Sequence, residues 1–181
     1  MEAFEEAIVL IKKLSGGGAP VTHQGRHYRV NRVEPSPVAA PPVWTGSNGR
    51  ESLAATGRVA DGWLPGHAAD WLSERYRASR PVVDEVAAAV GRDPREIRTV
   101  CNLPGRITEQ PLAATRDADG RWIGGSVDQW VEELTGAVLE HDASGFVLFS
   151  EGGGAQHIDA LARWGREIVP AVREAVAEEN G

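Results

Sequence analysis

The segment PPVWTGSNGRESLAATGRVADGWLPGH, residues 41–67, decides the fold of this chain. Val43–Thr45 is a short run of strand-forming residues, and Gly46–Gly49 predicts a tight turn because its residues tolerate positive φ. Residues 50–59 place apolar side chains at helical spacing, and Trp63–Leu64 is a second short apolar run. A strand, a helix and a second strand make a βαβ unit, which predicts a parallel sheet.

The turn in front of this helix is the best candidate for a binding site. Backbone N–H groups at the start of a helix lack intrahelical acceptors and favour anions, and the small residues Ser47, Asn48 and Gly49 would let an anion approach. A plain βα turn, in which Ser47 or Asn48 caps the helix, accounts for the same residues. Further along the helix, Gly57 is small enough for close packing on a sheet.

The residues on either side of the unit also show periodic patterns. Before it, the sequence predicts an amphipathic helix over 2–14, a hairpin over 21–30 and a proline-rich connector over 34–42. After it, we expect a helix over residues 69–90 and a strand over Ile97–Leu103.

The last third of the chain begins with a polar segment, residues 107–125, which predicts a long loop. Ser126 and Gln129 have the spacing of a capping box and start the next helix. Gly145–Phe149 is entirely apolar, as expected of a parallel strand buried on both faces. A final helix is predicted to turn six apolar residues inward: Ile158, Leu161, Trp164, Ile168, Val169 and Val172.

Composition limits the classes of function. The chain has 181 residues, 41% hydrophobic and 25% charged, as is usual for a globular domain. A net charge of −7 and no basic run argue against a nucleic-acid partner. The sequence has no 18-residue apolar stretch, so we expect no membrane partner. The single cysteine, Cys101, excludes an internal disulfide and predicts a cytoplasmic location.

Four segments, in order, resemble the luciferase-like monooxygenases, which are flavin- and deazaflavin-dependent oxidoreductases of the bacterial luciferase superfamily. PPVWTGSNG, a helix and then ADGWLPG are similar to the family's PPIWIGG-type strand and turn, helix and ADGW strand. FEEAIVLIKKLSGGGAPVTHQGRHYRV looks like the family's preceding helix, glycine break and hairpin, and EPSPVAAPPVW looks like its proline-rich run-in. GRWIGGSVDQWVEELTGAVLEHDASGFVLF looks like its last barrel helix and strand.

The resemblance implies an α/β fold of the (β/α)8 TIM-barrel type. A complete barrel usually takes about 250 residues, so we expect residues 1–181 to form a single domain that holds only the C-terminal half-barrel. The helix, hairpin and connector would occupy residues 1–40. Four βα units would occupy residues 41–181, with strands near positions 43, 63, 99 and 147.

By the same resemblance, we expect an enzyme that transfers hydride between a flavin or deazaflavin and a small organic substrate, or that activates oxygen on the flavin. Relatives hold the cofactor phosphate on the amides that correspond to Ser47, Asn48 and Gly49, and Gly66 and His67 follow the next strand. Asn48 stands where the family usually has a glycine. Alanines follow His67 where deazaflavin-binding relatives often have Thr or Ser and a nearby Lys. The expected cofactor is therefore FMN, with a deazaflavin coenzyme as the alternative.

An open half-barrel would expose apolar strand edges, so we expect a homo-oligomer or pairing with a missing N-terminal half. The alternative function is a catalytically incomplete remnant that acts as a cofactor-binding or oligomerisation module. A doubly wound nucleotide-binding fold is less favoured, because no G-x-G-x-x-G follows the first strand.

Other polar residues give weaker signals. Arg106 follows the third strand and could bind a phosphate or an acidic substrate, although a surface ion pair is the more common role. His23 and His27 lack carboxylate or thiol partners at ligand spacing, so we expect no metal site. Cys101 lies in an apolar strand and is expected to be an inert core thiol.

Two short segments complete the candidates. The segment 141–144 contains His, Asp and Ser, but neighbours in sequence do not make a catalytic triad. The glycines at 152–154 predict either an anion-binding nest or a flexible connector.

Overall fold

The computed structural model describes residues 1–65, 73–150 and 155–179. The chain divides into two compact units. The first consists of Met1–Leu64 and Arg77–Arg98, and the second of Pro65–Tyr76 and Thr99–Gly181.

Helices and strands alternate along most of the described chain. The helices are α1 (Glu2–Lys13), α2 (Arg50–Val59), α3 (Glu74–Ala89), α4 (Val127–His141), α5 (Ala155–Arg163) and α6 (Val169–Glu179). The strands are β1 (Val21–Gln24), β2 (Arg29–Val33), β3 (Trp44–Thr45), β4 (Gly62–Trp63), β5 (Arg98–Ile107), β6 (Gly124–Gly125) and β7 (Ala143–Ser150). A short 3₁₀ helix spans Pro94–Glu96, and a π-helical turn, Trp164–Ile168, lies between α5 and α6.

The start of the first unit confirms the predicted helix and hairpin. Strands β1 and β2 pair in the antiparallel sense, with Val21 opposite Val33 and Gln24 opposite Arg29. Glu6 of α1 accepts hydrogen bonds from the backbone N–H groups of His27 and Tyr28 at the hairpin turn. The carboxylate of Glu6 therefore helps to join the helix to the hairpin.

The βαβ unit also forms as predicted. Strands β3 and β4 pair in parallel, with Trp44 opposite Gly62 and Thr45 opposite Trp63. The parallel arrangement follows from the crossover through α2, which returns the chain to the same end of the sheet before β4 begins.

The expectation that Gly57 packs on a sheet is wrong, because its close neighbour is α3. A Cβ at this position would lie 2.5 Å from the carbonyl oxygen of Val83 and 3.2 Å from the nitrogen of Ala87. The guanidinium of Arg92 donates to the carbonyl oxygens of Gly57 and Ala60, each at 2.7 Å. Glycine is thus required by the close approach of two helices.

The predicted helix over 69–90 is α3, which begins at Glu74. Ser73, just before it, is not helical, and residues 66–72 lie outside the described part of the chain. The hydroxyl of Ser73 accepts the backbone N–H of Tyr76, so a side chain satisfies a donor of the first turn.

In the second unit, β5 pairs in parallel with β7 from Thr99 to Gly105 and with β6 at Arg106 and Ile107. The strand was predicted to end at Leu103, before a proline, and this end point is wrong. Pro104 lacks only its own N–H group, and its neighbours remain in register with β7, so pairing continues past it.

The predicted capping box of α4 is confirmed. Ser126 Oγ accepts the N–H of Gln129 at 3.4 Å, and Gln129 Oε1 accepts the N–H of Ser126 at 3.0 Å. Gln129 also bonds to the backbone N–H and C=O of Leu112, each at 2.9 Å. The predicted long loop is therefore attached to the first turn of α4, and its last residues form β6.

Three tryptophans of this unit contact one another, and two of them, Trp122 and Trp130, are buried. The rings of Trp122 and Trp130 meet edge to face with centroids 4.9 Å apart, and Trp130 meets Trp164 in the same way at 5.6 Å. Edge-to-face contacts of this kind add to the stabilisation from buried area.

Two predictions of burial are wrong. In β7, Val147 and Phe149 are 42% and 52% exposed, so this strand is not buried on both faces. In α5, Ile158 and Leu161 are exposed, whereas Ile168 and Val172 further along are buried as predicted. The apolar residues do lie in the predicted strand and helix, but nothing in the described part of the chain covers these side chains.

Candidate functional site

The candidate turn, Gly46–Gly49, leads from β3 into α2 in the first unit. None of its residues has a positive φ, so the expectation based on left-handed backbone is wrong. Gly49 has φ −88° and ψ 153° and is the N-cap of α2. An extended N-cap residue carries the chain directly from strand to helix, and no left-handed residue is needed.

The side chain of Ser47 is buried and belongs to a cluster of hydroxyls beneath the turn. Thr56 Oγ1 of α2 lies 2.9 Å from Ser47 Oγ and 2.6 Å from Thr45 Oγ1. It also lies 2.9 Å from the carbonyl oxygen of Ser52, one turn earlier in the helix. One hydroxyl proton cannot serve three partners, so the neighbouring hydroxyls donate the remaining bonds.

This cluster decides what Ser47 can do. Its hydroxyl is engaged inside the fold, and its carbonyl oxygen accepts the indole N–H of Trp63 at 2.8 Å. Ser47 therefore fixes the backbone of the turn, and its side chain is not available to a ligand. The roles of Thr45 and Thr56 were missed from the sequence. The available signal was a threonine inside a helix, where its hydroxyl often bonds to the carbonyl four residues earlier.

The N-cap residue Gly49 is held by a side chain that the sequence did not suggest. Neither Ser47 nor Asn48 caps α2; instead, Ser52 Oγ accepts the N–H of Gly49 at 3.2 Å and donates to its carbonyl oxygen at 2.9 Å. The N–H groups of Arg50 and Glu51 remain at the first turn without intrahelical acceptors, as at every helix start.

The residues around the start of α2 are exposed. Asn48, Gly49 and Arg50 are exposed, and a Cβ placed on Gly46 would meet no atom of the described residues within 4 Å. An anion can therefore approach the start of α2, where the backbone amides and the helix dipole favour negative charge. The Ser47 hydroxyl is engaged inside the fold, and the binding of a phosphate by the backbone of this turn stays a prediction.

Asp61 fixes the other end of the βαβ unit. Its Oδ2 accepts the N–H of Val43 at 2.8 Å, and its Oδ1 accepts from Lys12 Nζ at 2.6 Å. The same ammonium donates to the carbonyl oxygen of Val59 at 2.8 Å. The aspartate of the ADGW segment is thus a structural residue that joins α1, the start of β3 and the end of α2.

Position 62 of the same segment must be glycine, because the ring of Trp44 lies against Gly62 and leaves no room for a side chain. A Cβ at Gly62 would lie 2.4 Å from Trp44 Cδ1. The tryptophan therefore lies directly over the neighbouring strand, and it is still 45% exposed.

The other two predicted cofactor-binding residues, Gly66 and His67, lie outside the described residues, as do the glycines at 152–154. Arg106 is exposed at the end of β5, where its backbone N–H and C=O pair with Ile123 and with the indole of Trp130. Its assignment to a phosphate or an acidic substrate stays a prediction.

The two hairpin histidines face carboxylates of α1. His23 Nε2 lies 2.8 Å from Glu6 Oε1, and His27 Nε2 lies 3.6 Å from Glu2 Oε2. Desolvation opposes ionisation of Glu6, but the hydrogen bonds from His23 and from two backbone N–H groups prevail and lower its pKa to about 2. Within the described ranges, no three His, Cys, Asp or Glu side chains are grouped so as to hold a metal ion.

The remaining candidates have structural roles. Cys101 is 2% exposed, and burial raises the pKa of its thiol to about 12, as expected for an inert core thiol. Asp142 caps α4 in a left-handed conformation with φ 54°. Ser144 Oγ accepts the N–H of Thr99 at 3.3 Å, so this hydroxyl supports the β5–β7 pairing.

The family model described as luciferase-like monooxygenase matches residues 1–180. The chain belongs to the luciferase-like monooxygenase family. Among curated relatives of this luciferase-like chain, the F420-dependent hydroxymycolic acid dehydrogenase of Mycobacterium tuberculosis is 32% identical over 126 residues. That match covers 68% of this chain and 34% of the dehydrogenase, so the chain spans about a third of that relative.

Solved structures show the same fold. The coenzyme F420-dependent tetrahydromethanopterin reductase of Methanopyrus kandleri superposes with a TM-score of 0.69 at 16% identity, over 92% of this chain and 62% of the reductase. Riboflavin lyase, solved with modified FMN and riboflavin, gives a TM-score of 0.60 at 13% identity, over 86% of this chain and 48% of the lyase. This luciferase-like chain therefore has an α/β fold with a parallel sheet and corresponds to part of a TIM barrel, as predicted.

Within residues 1–65, 73–150 and 155–179, no helix is both long enough and apolar enough to cross a bilayer.

Proposed function

We propose that this chain supplies the phosphate-binding part of an oxidoreductase that transfers hydride between a deazaflavin coenzyme and a small organic substrate. The observation that carries the proposal is the start of α2, where Asn48, Gly49 and Arg50 are exposed next to a fixed Ser47 backbone. The similar mycobacterial dehydrogenase and methanogen reductase are both F420-dependent, which supports a deazaflavin.

FMN is the second candidate cofactor. The fold is shared with riboflavin lyase, which was solved with a modified FMN. The alanines after His67 also depart from the residues that deazaflavin-binding relatives often have there. With FMN, the same turn would hold the phosphate, and the reaction would include oxygen activation on the flavin, as the name of the family suggests.

With either cofactor, the residues of this chain would bind the cofactor and orient it. The amides of Arg50 and Glu51 would receive the phosphate, Gly46 would leave room for it, and the Thr45–Ser47–Thr56 hydroxyls would hold the turn in place. The cofactor would supply the hydride chemistry. The reaction would take place in a reducing cytoplasm, which the single buried thiol of Cys101 supports.

Titration of the purified chain, followed by cofactor fluorescence, tests this proposal. The ligands are the deazaflavin coenzyme, FMN and riboflavin, which lacks the phosphate. We expect saturable binding of a phosphorylated ligand and none of riboflavin. Gly46→Val should weaken that binding about tenfold or more, because the new side chain occupies the approach to the amides. Gly136→Ala, at another glycine with free space around it, is the control and should bind normally.

Equal affinity for riboflavin and FMN would contradict a phosphate site at the turn. If no ligand binds even when the chain is mixed with a segment that supplies the other barrel strands, the alternative function is favoured. In that alternative, the chain is a catalytically incomplete module used for assembly. The matches cover 34% of the dehydrogenase and 62% of the reductase.

A further inference from the structure

A cavity of about 500 Å³ lies inside the second unit, between α4, β7 and α6. Its volume is within the range of roughly 300–1,000 Å³ that is usual for sites of small organic ligands. Leu134 and Val138 of α4 form one wall, and Phe146 of β7 forms another. All of its lining residues belong to the second unit, whereas the candidate turn belongs to the first.

The third wall is one stripe of α6 that is apolar except at a single position. Five residues spaced by three and one along the helix line the cavity: Val169, Val172, Arg173, Val176 and Ala177. Arg173 is exposed at the rim, and no carboxylate of the described chain pairs with it. A charged side chain at the edge of an apolar space, without a counter-ion, is the feature that needs an explanation.

A second observation concerns the helix itself. Trp164, which also lines the cavity, begins the π-helical turn that precedes α6. π-Helical turns are rare and are found frequently at functional sites. The π-helical turn therefore lies at one end of the cavity. The stripe of α6 that contains Arg173 starts directly after this π-helical turn, at Val169.

We propose that this cavity binds an aliphatic carboxylate, a single-chain acid whose apolar tail fills the cavity. The carboxylate would pair with the guanidinium of Arg173, which matches it in charge and in fork geometry. Ser144 also lines the cavity and is exposed, and its hydroxyl could donate a further hydrogen bond to the acid. A ligand without the anionic group would fill the walls equally well but would leave Arg173 without a partner.

The proposal is tested on the full chain with two probes of equal tail length, dodecanoate and 1-dodecanol, each below its aggregation concentration. Binding is followed by displacement of a fluorescent fatty acid. We expect one dodecanoate per chain, and Arg173→Gln should weaken it about tenfold while leaving dodecanol unchanged. Arg166→Gln is the matched control, because Arg166 is exposed on the π-helical turn and does not line the cavity.

A second variant locates the tail. Ala177→Phe places a large side chain at the exposed rim of the cavity and should weaken both probes. Unchanged binding of dodecanoate by Arg173→Gln would overturn the proposal, as would unchanged binding of both probes by Ala177→Phe. The absence of saturable binding to the unmodified chain would overturn it as well.

Discussion

Thr56 Oγ1 lies 2.9 Å from Ser47 Oγ, and this contact connects the middle of α2 to the turn that precedes it. Both side chains are buried, at 0% and 3% exposure. The turn thus has two layers, a lower one of buried hydroxyls that stabilise the fold and an upper one of exposed residues, 48–50, at the start of α2. Substitutions in the lower layer should change the stability of the fold, whereas substitutions in the upper layer should change ligand binding.

Thr56→Val should lower the free energy of unfolding by about 1–3 kcal/mol. The substitution keeps the shape of the side chain but leaves buried hydroxyls at Ser47 and Thr45 without their partner. Chemical denaturation of the full chain measures the change. Thr135→Val is the matched control, because Thr135 Oγ1 is buried without a hydrogen bond in the described structure, and its removal should be neutral or stabilising. Equal losses in the two variants would contradict the role of the cluster.

Lys12→Met should destabilise the protein by about 1 kcal/mol. The substitution removes hydrogen bonds to Asp61 and to the carbonyl oxygen of Val59, and it leaves the half-exposed carboxylate of Asp61 with only its bond from Val43. The neighbouring Lys13→Met is the control, since Lys13 is exposed and should change stability by less than about 0.5 kcal/mol. A thermal melt of both variants at low and high salt would show the difference, and no difference would count against a structural role for the ADGW aspartate.

Glu6 should contribute a pH-dependent part of the stability. Its folded pKa of about 2 lies below the usual 4.5, because hydrogen bonds from His23 and the hairpin backbone outweigh desolvation. A carboxyl group whose pKa is lower in the folded state stabilises the fold at pH values above its unfolded pKa. This stabilisation is lost as the pH falls through the folded pKa. The stability advantage of the wild type over Glu6→Gln should therefore shrink between about pH 4.5 and 2.

Denaturation midpoints measured across that range test this expectation. Glu132→Gln, an exposed position on α4, serves as the control. A difference between wild type and Glu6→Gln that stays constant down to pH 2 would contradict the assignment.

We also propose that the chain associates through β7, either with a second copy or with a segment that supplies the remaining barrel strands. Val147 and Phe149 are exposed on this strand, and in the described structure β7 pairs with β5 alone. Sedimentation at micromolar concentration should show an assembly that Phe149→Ser weakens. Val38→Ser, at an apolar residue that is 70% exposed in the connector, should have no effect. A compact monomer for the unmodified chain would rule out self-association.

The sequence by itself determined the local elements. The helix over 2–14, the hairpin, the parallel βαβ unit and the capping box at Ser126 all follow from patterns within a few residues, and all are confirmed. Such patterns succeed because helix periodicity, strand propensity and caps depend on neighbours in the chain. The resemblance of four segments also gave the family correctly, since each segment keeps its own local motif.

Only the tertiary structure decided which side chains those elements bury and what they contact. The sequence did not show that Thr56, nine residues away, engages the Ser47 hydroxyl beneath the turn. Gly57 was expected to lie on a sheet, but α3 is its close neighbour. Phe149 was expected to be buried, yet burial requires a covering element that no pattern within one strand can supply. Contacts between residues distant in sequence depend on the placement of whole elements, and a single sequence read locally does not contain that placement.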